Sequence, residues 1–369
     1  MTAPPTTNGS RVEMPSGGEA LLEARHVVQE FELRNFGGGR GGVVHAVSDV
    51  SLEVRAGETL GLVGETGSGK STLARTLLQA PRPKSGEVLF RGVDLVKLRG
   101  RKLLEARRHL QMVFQDPFGS LDPKWRVSEI VEEPLVAYGV GRRAERRRRV
   151  DELLDLVGLD PRRFGSRRPR ELSGGQCQRV AIARALTLNP ALIICDEAVS
   201  SLDVLIQAQV LNLFEQLRRE LGLSYLFIAH DLALVKQVSD RVAVMYLGKL
   251  CEVGPAESIY REPLHPYTVA LLASIPRPDP AVRRPQAADA IKGEPPSPID
   301  PPSGCRFRTR CPRAEERCAI EEPPLRPLRP DHLVACHFPL SQAGDRASVA
   351  AGPRGALPDQ PSEGSGPTP

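Results

Sequence analysis

The sequence predicts an α/β protein: a parallel β-sheet interleaved with helices, with an antiparallel β portion ahead of it. Two observations carry this. From Lys70 onward, apolar strand-like runs such as "ALIIC", "LSYLFIAH" and "DRVAVMYLG" alternate with amphipathic stretches such as "QVLNLFEQLRREL", the pattern of repeated strand–helix units. Upstream, "LLEARHVVQEFEL" and "GVVHAVSDVSLEVRAGETLGLVG" are short, β-branched, partly alternating runs broken by Gly and Asn, as strands and turns are. With 369 residues, 40% hydrophobic and 26% charged, the chain can bury one full core and a second small one.

Composition excludes several classes. No basic segment followed by an apolar one opens the chain, and no apolar run reaches the roughly 18 residues that span a bilayer. A cytosolic protein is expected, which disfavours structural disulfides. A net charge of +5 and 4% aromatics do not imply nucleic acid as a partner. Arginines cluster in "GRRAERRRRV", Gly141 to Val150. This reads as a solvated helix face leading into the amphipathic "VDELLDLVGL", with contact to an acidic or lipid head-group surface as the alternative.

Residues 1–18 are rich in Pro, Thr, Ser and Gly, and 342–369 in Gly, Pro and Ser, so both ends are expected to be disordered. The main domain is placed at 19–275. A Pro-rich linker follows at 276–300, then a small cysteine-bearing unit at 301–341.

"GETGSGKST", from Gly64 to Thr72, fits G-x-x-x-x-G-K-[ST] and lies behind an apolar strand and before a helix, the context this pattern requires. Gly64, Gly67 and Gly69 let the loop turn successive N–H groups inward, with Glu65, Thr66 and Ser68 between them. Lys70 would reach the β- and γ-phosphates and Ser71 would ligate Mg²⁺. Thr72 lies in the first turn of the helix, whose N-terminus adds its positive dipole end. "ALIICDE" ends a second apolar strand in Asp196 and Glu197; a carboxylate there can hold Mg²⁺ through water while its neighbour polarises an attacking water.

"ELSGGQCQRVAIARAL" narrows the class further. Leu172-Ser173-Gly174-Gly175-Gln176 is the LSGGQ signature, and the chain resembles the nucleotide-binding subunits of ABC transporters. The resemblance implies an ABC-type P-loop ATPase with a parallel-sheet core, an antiparallel β subdomain and a helical signature subdomain. It also implies a dimer in which each signature closes over ATP bound to the opposite subunit. Gln115 in "VFQDP" matches the Q-loop, a Mg²⁺ ligand and sensor of the membrane partner. Ser201-Leu202-Asp203 matches the D-loop at the dimer seam, and His230 in "FIAHD" the histidine that contacts the γ-phosphate. Phe31 in "QEFEL" looks like the adenine-stacking ring, with Phe36 as an alternative and a core phenylalanine as the plain one. Glu197, His230, Gln115 and Lys70 are thus the expected catalytic group.

Over roughly residues 20 to 340, "CDEAVSSLDVLIQAQVLNLFEQL", "SDRVAVMYLGKLCEVGP", "REPLHPYTVALLASIP" and "GEPPSPIDPPSGCRFRTRCP" resemble the ATPase subunits of oligopeptide and dipeptide importers, a group that includes nickel and glutathione systems. Two departures stand out: Ala198 where the family usually has Pro, and Cys177 where a basic residue often follows the signature. The resemblance implies two membrane-spanning permease subunits, a sister ATPase subunit, an extracytoplasmic peptide-binding protein acting indirectly, and a location at the cytoplasmic face of the membrane. A soluble ABC ATPase of DNA repair or translation is the competing class. Those proteins usually carry tandem ATPase halves or DNA-handling insertions, whereas this chain has one phosphate loop.

Four of the seven cysteines, Cys305, Cys311, Cys318 and Cys336, are spaced C-x₅-C-x₆-C-x₁₇-C. The tight C-x₂₋₄-C knuckle usual for zinc is absent, while an iron–sulfur cluster tolerates wider loops. Arg306, Arg308, Arg310, Arg313 and Arg317 are expected to favour thiolates and offset the negative charge of a cluster. The resemblance adds a [4Fe–4S] cluster in this extension. Zinc with His332 or His337, or simply buried thiols, remain open at this point.

Overall fold

The computed structural model describes residues 20–34, 40–275, 293–341, 346 and 349. The expected disordered N-terminus, the alternative ring Phe36, most of the Pro-rich linker and nearly all of the tail lie outside the described residues. Of the tail, Val349 is buried against Val269 and Leu340.

Strands β1 (Ala20–Arg34), β2 (Arg40–Arg55), β4 (Ser85–Phe90) and β5 (Val93–Asp94) form an antiparallel sheet in the order β2-β1-β4-β5. Between them β3 (Thr59–Val63) leaves for the second sheet and α1 (Lys70–Leu77) follows it. Next in the chain come α2 (Gly100–Arg108), β6 (Leu110–Val113) and the helical portion, made of α3 (Val127–Ala137), α4 (Arg143–Leu156), α5 (Pro161–Phe164) and α6 (Gly174–Leu186). The chain then alternates through β7 (Leu192–Asp196), α7 (Val204–Leu221), β8 (Ser224–Ala229), α8 (Leu232–Val238) and β9 (Arg241–Tyr246). After β10 (Lys249–Pro255) come α9 (Ala256–Arg261), α10 (Pro266–Ala273), α11 (Glu316–Ile320), β11 (Arg326–Arg329) and β12 (His332–Val334).

The second sheet has the order β11-β12-β10-β9-β3-β8-β7-β6. Its five strands from β9 to β6 are parallel, and β3, β7, β8 and β9 are buried along their whole length. This is why their sequences read as continuous apolar runs: a parallel sheet covered on both faces offers no solvent side for polar residues. Side chains nevertheless divide with period two. Leu192, Ile194, Leu226 and Ile228 join the core shared with the antiparallel sheet and α1, while Ile193, Cys195, Tyr225 and Phe227 face the core built with the helices.

The cysteine-bearing segment is not set apart from the main domain: its β12 pairs antiparallel with β10, Glu252 opposite Val334 and Val253 opposite Leu333. One buried carboxylate fastens this edge. Glu252, with no exposed surface, accepts hydrogen bonds from Leu264 N (2.7 Å), His265 N (3.0 Å) and His332 Nε2 (2.7 Å). Gly254 leaves room for the imidazole, since a Cβ there would stand 2.9 Å from His332 Cδ2. The arginine run falls on α4, where Arg146 donates to Glu132 (2.8 Å) and Arg149 to Asn189.

Replacing Glu252 by Ala strands three buried donors at once. Glu252→Ala is expected to lower unfolding stability by about 2–4 kcal/mol, measured by chemical denaturation, and to open residues 293–341 to protease first.

Candidate nucleotide site

Between β3 and α1 the chain makes a loop whose backbone calls for glycine at three positions. Gly64, Gly67 and Gly69 have φ of 154°, 81° and 103°, in the half of conformational space that side chains disfavour. A Cβ on Gly64 would collide with the carbonyl of Met245, and one on Gly69 with the carbonyl of Ala46. Lys70 Nζ lies under the loop, donating to Gly64 O (2.7 Å) and Glu65 O (2.9 Å). Burial pushes its pKa below the ordinary lysine value, against the pull of Glu197, Asp196 and Glu65.

The acidic strand end arrives beside the loop because β7 and β3 flank β8 in the same parallel sheet. Ser71 Oγ donates to Asp196 Oδ1 (2.7 Å), so the two predicted Mg²⁺ ligands already touch. Burial raises the Asp196 pKa, opposed by the Ser71 hydrogen bond and by Arg75. Glu197 follows in a left-handed conformation, φ 49°, held by its N–H on Ile228 O (3.0 Å) and by Ser200 N on its carbonyl (3.1 Å). This places Glu197 Oε2 within 2.9 Å of Gln115 Nε2 and 3.4 Å of His230 Nδ1. Three residues from three separate strand ends therefore meet at one carboxylate. Oxygen donors on Ser71, Gln115 and Asp196 suit a hard cation such as Mg²⁺.

The signature stands at the start of α6. Ser173 is its N-cap and forms a reciprocal box with Gln176: Gln176 N donates to Ser173 Oγ (3.3 Å) and Ser173 N to Gln176 Oε1 (3.0 Å), the arrangement that satisfies free N–H groups of a helix start. Its glycines also admit a neighbour. A Cβ on Gly175 would strike Ile206 Cγ2, and one on Gly174 would lie 3.3 Å from Leu202, so the Ser201–Asp203 loop packs directly on the signature. Asp203 caps α7 by accepting from Ile206 N (3.0 Å). Among the described residues no hydrogen bond joins Ser173–Gln176 to Gly64–Thr72. Cys177 is buried beneath the signature with its thiol near Pro169 O (3.5 Å), and Ala198 is buried as well. Phe31 is 40% exposed, which rules out a core residue; it pairs with Val44, two positions along β2 from the Ala46 carbonyl that walls Gly69.

Cys305, Cys311, Cys318 and Cys336 line one small pocket with His265, Phe307, His337 and Phe338. His332 is not among its walls, being committed to Glu252. At three of the four cysteines the expectation that arginines favour thiolates is overturned. Burial pushes the thiols of Cys305, Cys311 (to about 11) and Cys336 (to about 12) upward. Arg313 pulls Cys311 the other way, and burial outweighs it. Arg308 also lines the pocket while donating to Ser303 O; Arg306, Arg310 and Arg317 are engaged elsewhere, on Leu247 O, Glu65 and Glu321. Among the described residues no three His, Cys, Asp or Glu side chains are gathered as they would be around a single metal ion.

Two contacts to the phosphate loop escaped the sequence. Tyr267 Oη accepts from Glu65 N (2.9 Å), and Arg310 grips the Glu65 carboxylate at 2.7 and 3.1 Å. They lie 202 and 245 positions from Glu65, and no local pattern marks them.

A glycine-lined phosphate loop, a serine–aspartate pair, a carboxylate met by Gln115 and His230, and an LSGGQ helix together define an ABC-type nucleotide-binding ATPase. The ABC transporter family matches residues 47–200, and the oligopeptide/dipeptide transporter C-terminal region matches residues 251–318. The chain is 50% identical over 324 residues to the oligopeptide transport ATP-binding protein AppF of Bacillus subtilis, covering 87% of this chain and 98% of that protein. It is 48% identical over 322 residues to the oligopeptide transport ATP-binding protein OppF of Haemophilus influenzae, covering 86% and 97%. Among solved structures, the dimeric ATP-binding cassette MJ0796 bound to ADP and Pi superposes with TM-score 0.57 at 29% identity, over 64% of this chain and 98% of that one. CbiO1 of Clostridium perfringens, part of an ABC transporter complex, gives 0.56 at 27%, over 66% and 91%. The chain belongs to the ABC transporter ATP-binding proteins of the oligopeptide/dipeptide transport family.

Gly69→Ala tests the loop geometry directly. The new methyl meets the Ala46 carbonyl, and ATP affinity is expected to fall by at least about tenfold, ~1.4 kcal/mol, in an equilibrium titration with a fluorescent ATP analogue, while the circular dichroism spectrum is retained.

Proposed function

We propose that this chain energises an importer of dipeptides or oligopeptides. The supporting observation is its identity of about half with oligopeptide transport ATP-binding proteins across 86–87% of its length, including the C-terminal extension. Among the described residues no helix is long and apolar enough to cross a membrane, so transport requires partners: two permease subunits and a sister ATPase, with a peptide-binding protein on the far side. The chain would then sit at the cytoplasmic face.

In this reading two ATP molecules lie between two such subunits. Gly64–Thr72 of one grips the phosphates, and Ser173–Gln176 of the other closes over them, with Asp203 at the seam and Phe31 against adenine. Bound Mg²⁺, held by Ser71, Gln115 and Asp196, would neutralise phosphate charge. Glu197 orients or deprotonates the attacking water, while Lys70 and His230 stabilise the charge of the transferred group. The contacts of Glu197 with Gln115 and His230 support this assignment, since they fix its carboxylate on the phosphate side of the strand end. In the assembled transporter, Glu197→Gln is expected to keep ATP binding while hydrolysis and uptake of labelled peptide fall at least about 100-fold. Hydrolysis at the wild-type rate would refute the role of Glu197, and wild-type complex that hydrolyses ATP without moving any peptide would refute the cargo.

We further infer that the four thiols hold a [4Fe–4S] cluster. Each thiolate of such a cluster binds a different iron, so the sulfurs need line one pocket without converging on a single atom, as they do here. Because burial raises the pKa of Cys305, Cys311 and Cys336, loading must release protons. The cluster would be structural, tying Cys305 to β12 through Cys336. Anaerobically purified protein is expected to carry about four iron and four sulfide per chain; stoichiometric zinc without iron would overturn the assignment.

A further inference from the structure

Arg310 stands one residue before Cys311, in the C-terminal extension, yet its side chain reaches the nucleotide loop. Both terminal guanidinium nitrogens bond the Glu65 carboxylate, at 2.7 and 3.1 Å, and Nη1 also lies 3.3 Å from Tyr246 Oη. The pair is largely enclosed: Arg310 is 8% exposed, and the guanidinium carbon sits 5.7 Å from the Tyr246 ring centre. Beneath it, Tyr246, Tyr267 and Phe307 form a ring cluster with centroids 4.7 to 5.3 Å apart. Phe307, from the extension, is buried in that cluster.

Glu65 is an awkward residue in its place. It is the second member of a loop built to hold phosphates, and its negative charge is felt at Lys70. Left unpaired in this half-buried setting, a carboxylate repels an incoming polyanion strongly, because little water screens it. Its backbone is pinned as well, its N–H by Tyr267 and its carbonyl by Lys70. Arg310 holds the third side, with a planar fork matched to a carboxylate in a way a lysine cannot match.

We infer that Arg310 is a positioning residue of the ATP site: by pairing with Glu65 it cancels a negative charge inside the phosphate loop and holds that carboxylate away from the nucleotide. The extension therefore sets ATP affinity in addition to completing the sheet. The charge argument separates this role from mere packing. If Arg310 serves to neutralise Glu65, it is dispensable once Glu65 carries no charge.

The test is a double-mutant cycle on the full-length chain, reading the dissociation constant of a fluorescent ATP analogue and, separately, KM and kcat for ATP. Arg310→Ala is expected to raise the dissociation constant and KM about tenfold with kcat changed less than about twofold. In the Glu65→Gln background the same substitution is expected to change affinity less than about twofold. Arg310→Lys, which keeps the charge and loses the fork, should fall between. If Arg310→Ala does not accumulate as folded protein, Arg310→Lys and Arg310→Met are compared with and without Glu65→Gln instead. Equal losses in both backgrounds, or unaltered affinity in Arg310→Ala, would overturn the inference. Nucleotide binding is the readout, so the result stands whatever cargo the transporter carries.

Discussion

A loop that offers most of its N–H groups to a phosphate has few left to hold itself together. Gly64–Lys70 closes on one backbone bond of its own, Ser68 N to Glu65 O (3.1 Å), and on the Lys70 ammonium, while its remaining donors are kept for an anion. Much of its shape has to come from outside. The Met245 and Ala46 carbonyls stand where side chains on Gly64 and Gly69 would be. Gly248 N donates to Ser68 O (2.8 Å), and Tyr267 receives Glu65 N. The loop is thus clasped by β2, β9 and its following turn, α10 and the extension. That explains why strands distant in sequence must be registered accurately before the site exists.

The same constraint gives the sheet edge its importance. Met245 and Tyr246 end β9, and β9 is bordered by β10, which is bordered in turn by β12. An edge strand left open at β10 would expose backbone donors and acceptors next to the wall of the nucleotide loop. Glu252 prevents this by tying β10 to β12 through His332 and to the start of α10 through Leu264 and His265. Since α10 carries Tyr267, one buried carboxylate connects the edge of the sheet to the loop's backbone.

Local patterns made much of this legible. Continuous apolar runs announced the covered parallel strands, and the phosphate loop, the acidic strand end and the LSGGQ helix each have a sequence form dictated by their backbone: glycine where φ is positive, serine where a helix begins. Gln115, Glu197 and His230 were named individually and are brought together by the sheet. Tertiary pairings were illegible for the opposite reason. Nothing about Glu252, Arg310 or Tyr267 in isolation distinguishes a strand glutamate, a surface arginine or a core tyrosine, because their meaning arises from partners on other elements. Proline-rich sequence ahead of the extension makes it look like a small unit of its own; the strand pairing between β10 and β12 is a non-local contact that composition does not encode.

The arginines among the cysteines show how proximity in sequence misleads about electrostatics. Five positive charges near four thiols suggest stabilised thiolates, but Coulomb attraction depends on where the guanidinium ends, and a side chain this long can leave. Arg306 and Arg310 reach Leu247 and Glu65, on the nucleotide side, and Cys305, Cys311 and Cys336 remain with burial as their dominant influence. Residues that look merged in "CRFRTRCPRAEERC" therefore divide between two places in the fold. Cys305 and Cys311 line the thiol pocket with Phe307 between them in sequence and also on its wall; Arg306 and Arg310 face the other way, onto the turn after β9 and the phosphate loop. Phe307, on the wall of the thiol pocket, packs against Tyr246 and Tyr267, which in turn bond Arg310 and Glu65, so ring contacts connect the pocket to the phosphate loop. Any change that shifts the backbone at Cys311 must then move the residue beside it, whose guanidinium holds Glu65.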